Sequence, residues 1–242
     1  MIFQLGRLKT RHFTHITAPQ GAAGPQLEAA RDFLYHLPMP TNSFLIKLEW
    51  IEKNFVEVLP TNEIVLDLKY ATDDNFMNAN LYDSFDRCFL SQTAFEKLQA
   101  AATVLKKQHP ELQFRIWDAL RPASIQSQMF EHLQGTPFET YVAAPEPGSM
   151  HNFGMAVDLS LQTKDGELLE MGTDFDHFAE LAQPIKEDHF LKTGELSSRA
   201  YAHRLLLRRL LEAQGFQVLP HEWWHFNALP ADQVYGQFPK LI

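Results

Sequence analysis

The chain is expected to fold as an α+β domain, with a small, mostly antiparallel sheet and helices packed around it. Two observations predict this. Strand-like and helix-like segments are mixed along the sequence without a regular βα alternation. At 45% hydrophobic and 21% charged residues, the composition is that of an ordinary globule, and no internal repeat or low-complexity tract interrupts it.

The segments support this in order. Residues 20–25 (QGAAGP) read as a loop. After Pro25, the spacing of Leu27, Ala30, Phe33 and Leu34 predicts a helix begun by proline and broken at Leu37-Pro38-Met39-Pro40. Residues 1–50 thus read as an N-terminal extension packed on a main domain of residues 51–242. Glu63 to Tyr70 alternates as a strand. Thr93-x-x-Glu96 predicts a capping box opening a helix that turns Phe95, Leu98, Ala102 and Leu105 to one face. Leu112, Phe114 and Ile116 alternate with polar neighbours in a strand ending at Asp118. Pro122 suits the first turn of a helix lined by Ile125, Met129 and Leu133 and stopped by Gly135. Met155 to Leu161 reads as a strand, and Ser197 to Gln214 as a long helix stopped by Gly215. Gln217 to Asn227 is a short aromatic segment interrupted by Pro220.

Bulk properties exclude some functions. With 242 residues the chain can bury a real core. A net charge of −9 argues against a nucleic-acid partner, which selects a basic face. The single cysteine, Cys88, cannot form an intrachain disulfide and reads as a small buried hydrophobe. Met1 to Thr14 has no apolar signal region, and no stretch approaches the ~20 apolar residues of a membrane span. No membrane partner is expected, and the expected location is cytoplasmic.

Two stretches carry candidate metal chemistry. In Ser149-Met150-His151-Asn152-Phe153-Gly154-Met155-Ala156-Val157-Asp158, a bend at Gly154 can bring His151 and Asp158 to one point. An oxygen ligand beside nitrogen ligands suits catalytic zinc. Taken alone, the stretch fits a satisfied loop histidine and a strand-edge aspartate equally well. His221-Glu222-Trp223-Trp224-His225 matches the helical two-histidine zinc motif as a string. Pro220, the paired tryptophans and the missing apolar stripe favour Glu-x-x-His, with His225 as ligand and His221 as a flank. Residues three apart on a regular strand face opposite ways, so Glu222 and His225 converge only through a bulge or turn. His151, Asp158 and His225 would give three ligands and leave a fourth position for water, with Glu222 placed to take its proton.

Two further groups stand near this set. Arg121, in Trp117-Asp118-Ala119-Leu120-Arg121-Pro122, is a candidate for holding an oxyanion. It fits equally a surface arginine capped by Asp118. Met171-Gly172-Thr173-Asp174-Phe175-Asp176 offers either a helix N-cap or an anchor for a substrate ammonium group.

Five segments in order resemble the D-alanyl-D-alanine dipeptidase family, the group that includes the vancomycin-resistance dipeptidase. They are Asp67-Leu68-Lys69-Tyr70-Ala71-Thr72-Asp73-Asp74-Asn75-Phe76, Asp118-x-x-Arg121-Pro122 and Ser149-x-His151-x-x-Gly154-x-Ala156-x-Asp158. Met171-Gly172-Thr173-x-Phe175-Asp176 and Glu222-Trp223-Trp224-His225-Phe226 complete the set, so the resemblance covers roughly residues 55–228. It implies the zinc fold shared with D,D-carboxypeptidases and the hedgehog signalling domain. It also implies one Zn²⁺ per chain on His151, Asp158 and His225, Glu222 as general base and Arg121 steadying the oxyanion. The implied partner is a small dipeptide. Its ammonium would bind Asp176 with Tyr70, and its carboxylate Ser149; Asp118, in the matching motif, joins these substrate contacts.

The sequence departs from the family where Lys69 stands in place of a common Arg, and where Asn152-Phe153 replaces a common Ser-Arg pair. Residues 1–50 have no family counterpart in this comparison. The expected activity is hydrolysis of free D-Ala-D-Ala. The alternatives are a D,D-carboxypeptidase or cell-wall peptidase acting on longer peptides, and a catalytically silent binding module on the same scaffold.

Overall fold

A computed structural model describes residues 48–83 and 85–242. The helix expected after Pro25 and the 37–40 break lie outside them. The described chain runs α1 (Leu48–Asn54), β1 (Val56–Glu57), β2 (Ile64–Leu66), β3 (Phe89–Leu90), α2 (Gln92–Gln108), β4 (Leu112–Asp118) and α3 (Ala123–Leu133). It continues through β5 (Ala156–Thr163), α4 (Glu187–Thr193), α5 (Ser198–Glu212), β6 (Gln217–Leu219) and β7 (Glu222–Asn227). Helix α1 spans the expected boundary at 50/51 and buries Ile51.

Five strands form one sheet in the order β2-β4-β5-β7-β6. Only β2–β4 is parallel; the other three pairs are antiparallel. A separate antiparallel pair, β1–β3, lies outside it. The α+β class with a small, mostly antiparallel sheet is therefore the observed one.

The sheet and its helices share one core because their periodicities agree. Along β5, Val157, Leu159 and Leu161 face one way. They pack with Phe114 and Ile116 of β4, with Leu98 and Leu105 of α2, and with Leu207 and Leu211 of α5. Asp158, Ser160 and Gln162 alternate onto the other face and are also buried. A second cluster, including Ile51, Tyr70, Tyr82, Phe89, Ile125 and Met129, builds the ground beside α3.

Two local expectations give way. The strand expected over 63–70 pairs only at Ile64–Leu66. It ends where Asp67 turns to accept from Arg115 Nε at 2.8 Å, and residues Lys69–Ala71 form a 3₁₀ turn. Helix α2 starts two residues before the expected box. Ser91 is its N-cap, with Oγ accepting from the Ala94 N–H at 3.2 Å, because the Ser91 N–H is already pinned to the Gly154 carbonyl at 2.9 Å. Elsewhere the boundaries agree: Pro122 caps α3, Ser197 caps α5, and Gly135 and Gly215 take positive φ just beyond those helices.

Gly154 closes the turn that delivers His151. Its φ is +61°, and a Cβ there would lie 2.7 Å from the Ser91 backbone nitrogen. Gly154→Ala therefore combines left-handed strain with a backbone clash. We expect it to cost at least about 2 kcal/mol of stability. Urea unfolding of both proteins, with chelator present to remove any metal contribution, measures this.

Candidate metal centre and active site

The site is built on the sheet. Register places Asp118 of β4 opposite Asp158 of β5, and Asp158 opposite His225 of β7, so the three form a row across adjacent strands. An irregularity between Ile116 and Asp118 makes this row possible: two steps on β4 match one on β5, which moves Asp118 into line with Asp158. On the far side, one step on β6, Val218 to Leu219, spans four on β7, Phe226 to Glu222. This break in regularity lets Glu222, Trp224 and His225 all line one cleft. Glu222 Oε2 lies 3.7 Å from His225 Nδ1. The segment is a strand and not a helix, and His221 sits exposed in the turn outside the cluster.

His151 comes from a 3₁₀ turn, Met150–Phe153. Ser149 caps it, with Oγ accepting from the His151 N–H at 3.3 Å, while Asn152 Oδ1 accepts from the Ser149 N–H at 2.8 Å. Asn152 is wholly buried and donates through Nδ2 to the Arg121 carbonyl at 2.8 Å. Phe153 is buried against Tyr235. This Asn-Phe pair thus serves the interior rather than the cleft.

The donor atoms of His151, Asp158 and His225 lie within 4.8 Å of one another, all buried. His151 Nδ1 lies 2.6 Å from the Ala119 carbonyl, which can only accept, so Nδ1 carries a hydrogen and Nε2 offers a lone pair. His225 Nε2 lies 2.9 Å from Asn227 Oδ1, so its Nδ1 likewise points a lone pair inward. These inner nitrogens are 3.1 Å apart. Asp158 Oδ2 is 3.2 Å from His151, and Oδ1 is 3.0 Å from His225 yet accepts no hydrogen bond. Three such donors converging on one buried point can hold a metal ion. Two imidazoles and a carboxylate are a donor set that fits zinc.

Arg121 is buried, not a surface residue. Nε and one terminal nitrogen bind Asp118 Oδ2 at 2.9 and 2.7 Å, and the other donates to Gln126 Oε1 at 2.9 Å. Its guanidinium lies 4.9 Å from the Tyr70 ring centroid and 3.7 Å from Asp158. Asp118 does not line the cleft. It is completely buried behind Arg121 and also accepts from Tyr82 Oη at 2.6 Å, so its contacts are with the protein.

Across the cleft, Tyr70 Oη donates to both oxygens of Asp176 at 3.0 and 2.9 Å. No helix starts at Asp176; it sits in a turn with φ +56°. Burial, helped by the charge on Asp158, pushes its carboxyl up to about 8. Burial likewise pushes Glu222 up to about 7, against the opposing influence of His225. A divalent cation on the three ligands would draw both back toward ionisation. Ser149, Arg121, Tyr70, Asp176 and Glu222 all line the same cleft as the cluster.

Several supporting residues escaped the sequence reading. Asn227 lies two positions after His225, and residues two apart on a strand share a face, so that signal was present. Arg204 interrupts the buried stripe Ala200, Leu207, Leu211 on α5, which also marks it out. It donates to the Met171 and Leu181 carbonyls at 2.6 and 3.0 Å and pairs with buried Glu187, tying down both ends of the loop that carries Asp176. Tyr82 lies in irregular chain, where no pattern flags it.

A buried cation site with a carboxyl group at its edge and a fixed guanidinium at its side defines the class: a metal-dependent hydrolase. Comparison with known proteins narrows the class. A family model described as D-Ala-D-Ala dipeptidase matches residues 53–241. A D-alanyl-D-alanine dipeptidase of Escherichia coli is 32% identical over 173 residues, covering 72% of this chain and 82% of that protein. Dipeptidases of the same description from Enterococcus faecalis and Enterococcus faecium are 27% and 29% identical. They cover 71% and 72% of this chain, and 90% and 91% of their own length. The chain belongs to the D-Ala-D-Ala dipeptidase family of zinc metallopeptidases.

Asn227 fixes the tautomer of His225. Asn227→Ala should lower zinc affinity about 10- to 100-fold, as loss of a partner behind a ligand generally does. Competition with a chromophoric chelator reads the affinity, and circular dichroism checks the fold. Unchanged affinity would show that His225 needs no such partner.

Proposed function

We propose that this chain hydrolyses free D-Ala-D-Ala with one zinc ion per chain held by His151, Asp158 and His225. The observation that carries this reading is the convergence of three lone-pair donors beside Glu222. A zinc ion bound there supplies Lewis acidity toward the peptide carbonyl and acidifies a water molecule to near neutral pH. Glu222 takes the proton of the attacking water and passes it to the leaving amine. Beside a bound cation the ionised form of this carboxyl is favoured, which suits it to take that proton. Arg121, locked by Asp118 and Gln126, faces the negative charge that develops on the carbonyl oxygen.

Asp176 and Tyr70 take the substrate ammonium. Its arrival restores the carboxylate charge that burial disfavours. Ser149 takes the terminal carboxylate. We assign Asp118 a positioning role through Arg121. An anchor for a free ammonium selects a dipeptide over a longer chain, which carries no charge at that point. Residues 51–242 form the catalytic domain in this reading, preceded by an extension. No helix of the described residues is long and apolar enough to cross a membrane.

Hydrolysis of D-Ala-D-Ala should vanish with chelator and return with added zinc. The N-acetylated dipeptide should be a poor substrate; equal rates on the two would point to a carboxypeptidase. Glu222→Gln should keep one zinc per chain yet lose at least about 10²-fold in kcat. Near-normal turnover would remove Glu222 from proton transfer, and zinc binding without hydrolysis of any dipeptide would favour a binding module.

A further inference from the structure

The cleft has two unlike halves. The half that holds the cluster is polar and sealed: His151, Asp158, His225, Arg121 and Ser149 are all buried. The other half is apolar and only part-buried, with Phe76, Tyr141 and Phe178 in its lining. Phe178 is its hub. Its ring centroid is 5.2 Å from that of Phe76, edge-on, and 5.5 Å from those of both Tyr141 and Phe138. Rings fixed against one another, yet left facing a cleft, keep apolar area that the other described residues do not cover.

This wall adjoins one end of the substrate path. Asp176, the proposed ammonium anchor, stands two residues before Phe178. Phe76 packs edge-on against Tyr70 at 6.3 Å, and Tyr70 donates to Asp176. Ser149, assigned to the carboxylate, caps the turn on the opposite, metal-bearing half. In a dipeptide the first α-carbon bears both the ammonium and the first side chain. A side chain on that carbon therefore begins one atom from the anchored nitrogen, next to the aromatic wall. The second side chain branches near the carboxylate, away from it.

We propose that Phe76, Tyr141 and Phe178 form a subsite for a bulky apolar side chain on the amino-terminal residue of the dipeptide. The inference rests on the dipeptidase reading above and extends it from D-Ala-D-Ala to D,D-dipeptides that begin with a leucine- or phenylalanine-like residue. A methyl group reaches little of this wall. Each further methylene buried against it is worth about fourfold in kcat/KM.

The test uses the full chain loaded with zinc and four substrates: D-Ala-D-Ala, D-Leu-D-Ala, D-Phe-D-Ala and the reversed D-Ala-D-Phe. We expect kcat/KM for D-Leu-D-Ala or D-Phe-D-Ala to equal or exceed that for D-Ala-D-Ala, and to exceed that for D-Ala-D-Phe. Phe178→Ala should lower the ratio of kcat/KM for D-Leu-D-Ala to that for D-Ala-D-Ala at least about tenfold. Because a ratio is read, a partly misfolded preparation does not mimic the effect, and Phe178→Leu should restore most of the ratio. D-Ala-D-Ala hydrolysed while both bulky-first dipeptides run below one-tenth of its rate would overturn the subsite and leave the dipeptidase reading standing. A ratio unmoved in Phe178→Ala would also overturn it. No hydrolysis of any of the four by zinc-loaded protein would sink both.

Discussion

Two imidazoles and a carboxylate with their lone pairs aimed at one buried point repel one another unless a positive charge sits among them. The outer nitrogen of each ring is already committed, His151 to the Ala119 carbonyl and His225 to Asn227, so the inner nitrogens have no hydrogen of their own to share. Asp158 adds an oxygen that accepts no hydrogen bond. Buried and unpaired, such a group costs free energy that the fold must supply. A bound cation removes that cost, so folding and metal binding draw on the same free energy. Much of the rest of the molecule serves to hold these groups together despite their repulsion.

The sheet does this by register. Directly opposed residues on neighbouring strands place their Cβ atoms about 5 Å apart, a spacing that suits ligands of one ion. It also sets Asp118 against Asp158, a like-charge pair that would be destabilising alone. Arg121 lies between them, at 2.7 Å from one and 3.7 Å from the other, and so completes an alternation of charge along the row. Removing one member of such a buried set would leave an uncompensated charge, which is far costlier than losing a surface pair. Arg121 therefore cannot be read as a substrate group alone, because it is also what allows the row to exist.

Most of the fold was legible in the sequence because its elements are locally consistent. The alternation in β4 and β5, the stripe of α5 and the proline and glycine stops all agree with their tertiary surroundings. The misreadings fall where a distant contact overrides local pattern. The 63–70 run looks like a strand, but Asp67 is claimed by Arg115, and the chain turns to bring Tyr70 toward Asp176. Thr93 looks like a cap, but Ser91 is fixed by Gly154. The site was legible as residue types, since histidine and aspartate seven apart and a Glu-x-x-His run are visible in any sequence. Its geometry was not, because both strand irregularities arise from pairing between segments far apart in the chain. Asp118 shows the same limit: a motif marks a residue as belonging to the site without saying which side of Arg121 it occupies.

The loop that carries Asp176 shows how the remaining geometry is held. A non-glycine residue at φ +56° is not what local propensity would choose. The loop keeps this conformation because its two ends are bound by Arg204, through the Met171 and Leu181 carbonyls, and its middle by Thr173, which accepts from Trp223 Nε1 at 2.8 Å. Burying a guanidinium in the apolar stripe of α5 is unfavourable in itself. Glu187 and the two carbonyls offset part of that cost, while Nη2 finds no hydrogen-bond partner among the described residues. The strain thus sits at a residue that lines the cleft, and the interactions that sustain it lie one layer deeper, where α5 is anchored in the core. The polar half of the cleft is in this way set before any substrate arrives. The aromatic wall, by contrast, stays part-buried among the described residues, with apolar area still facing the cleft.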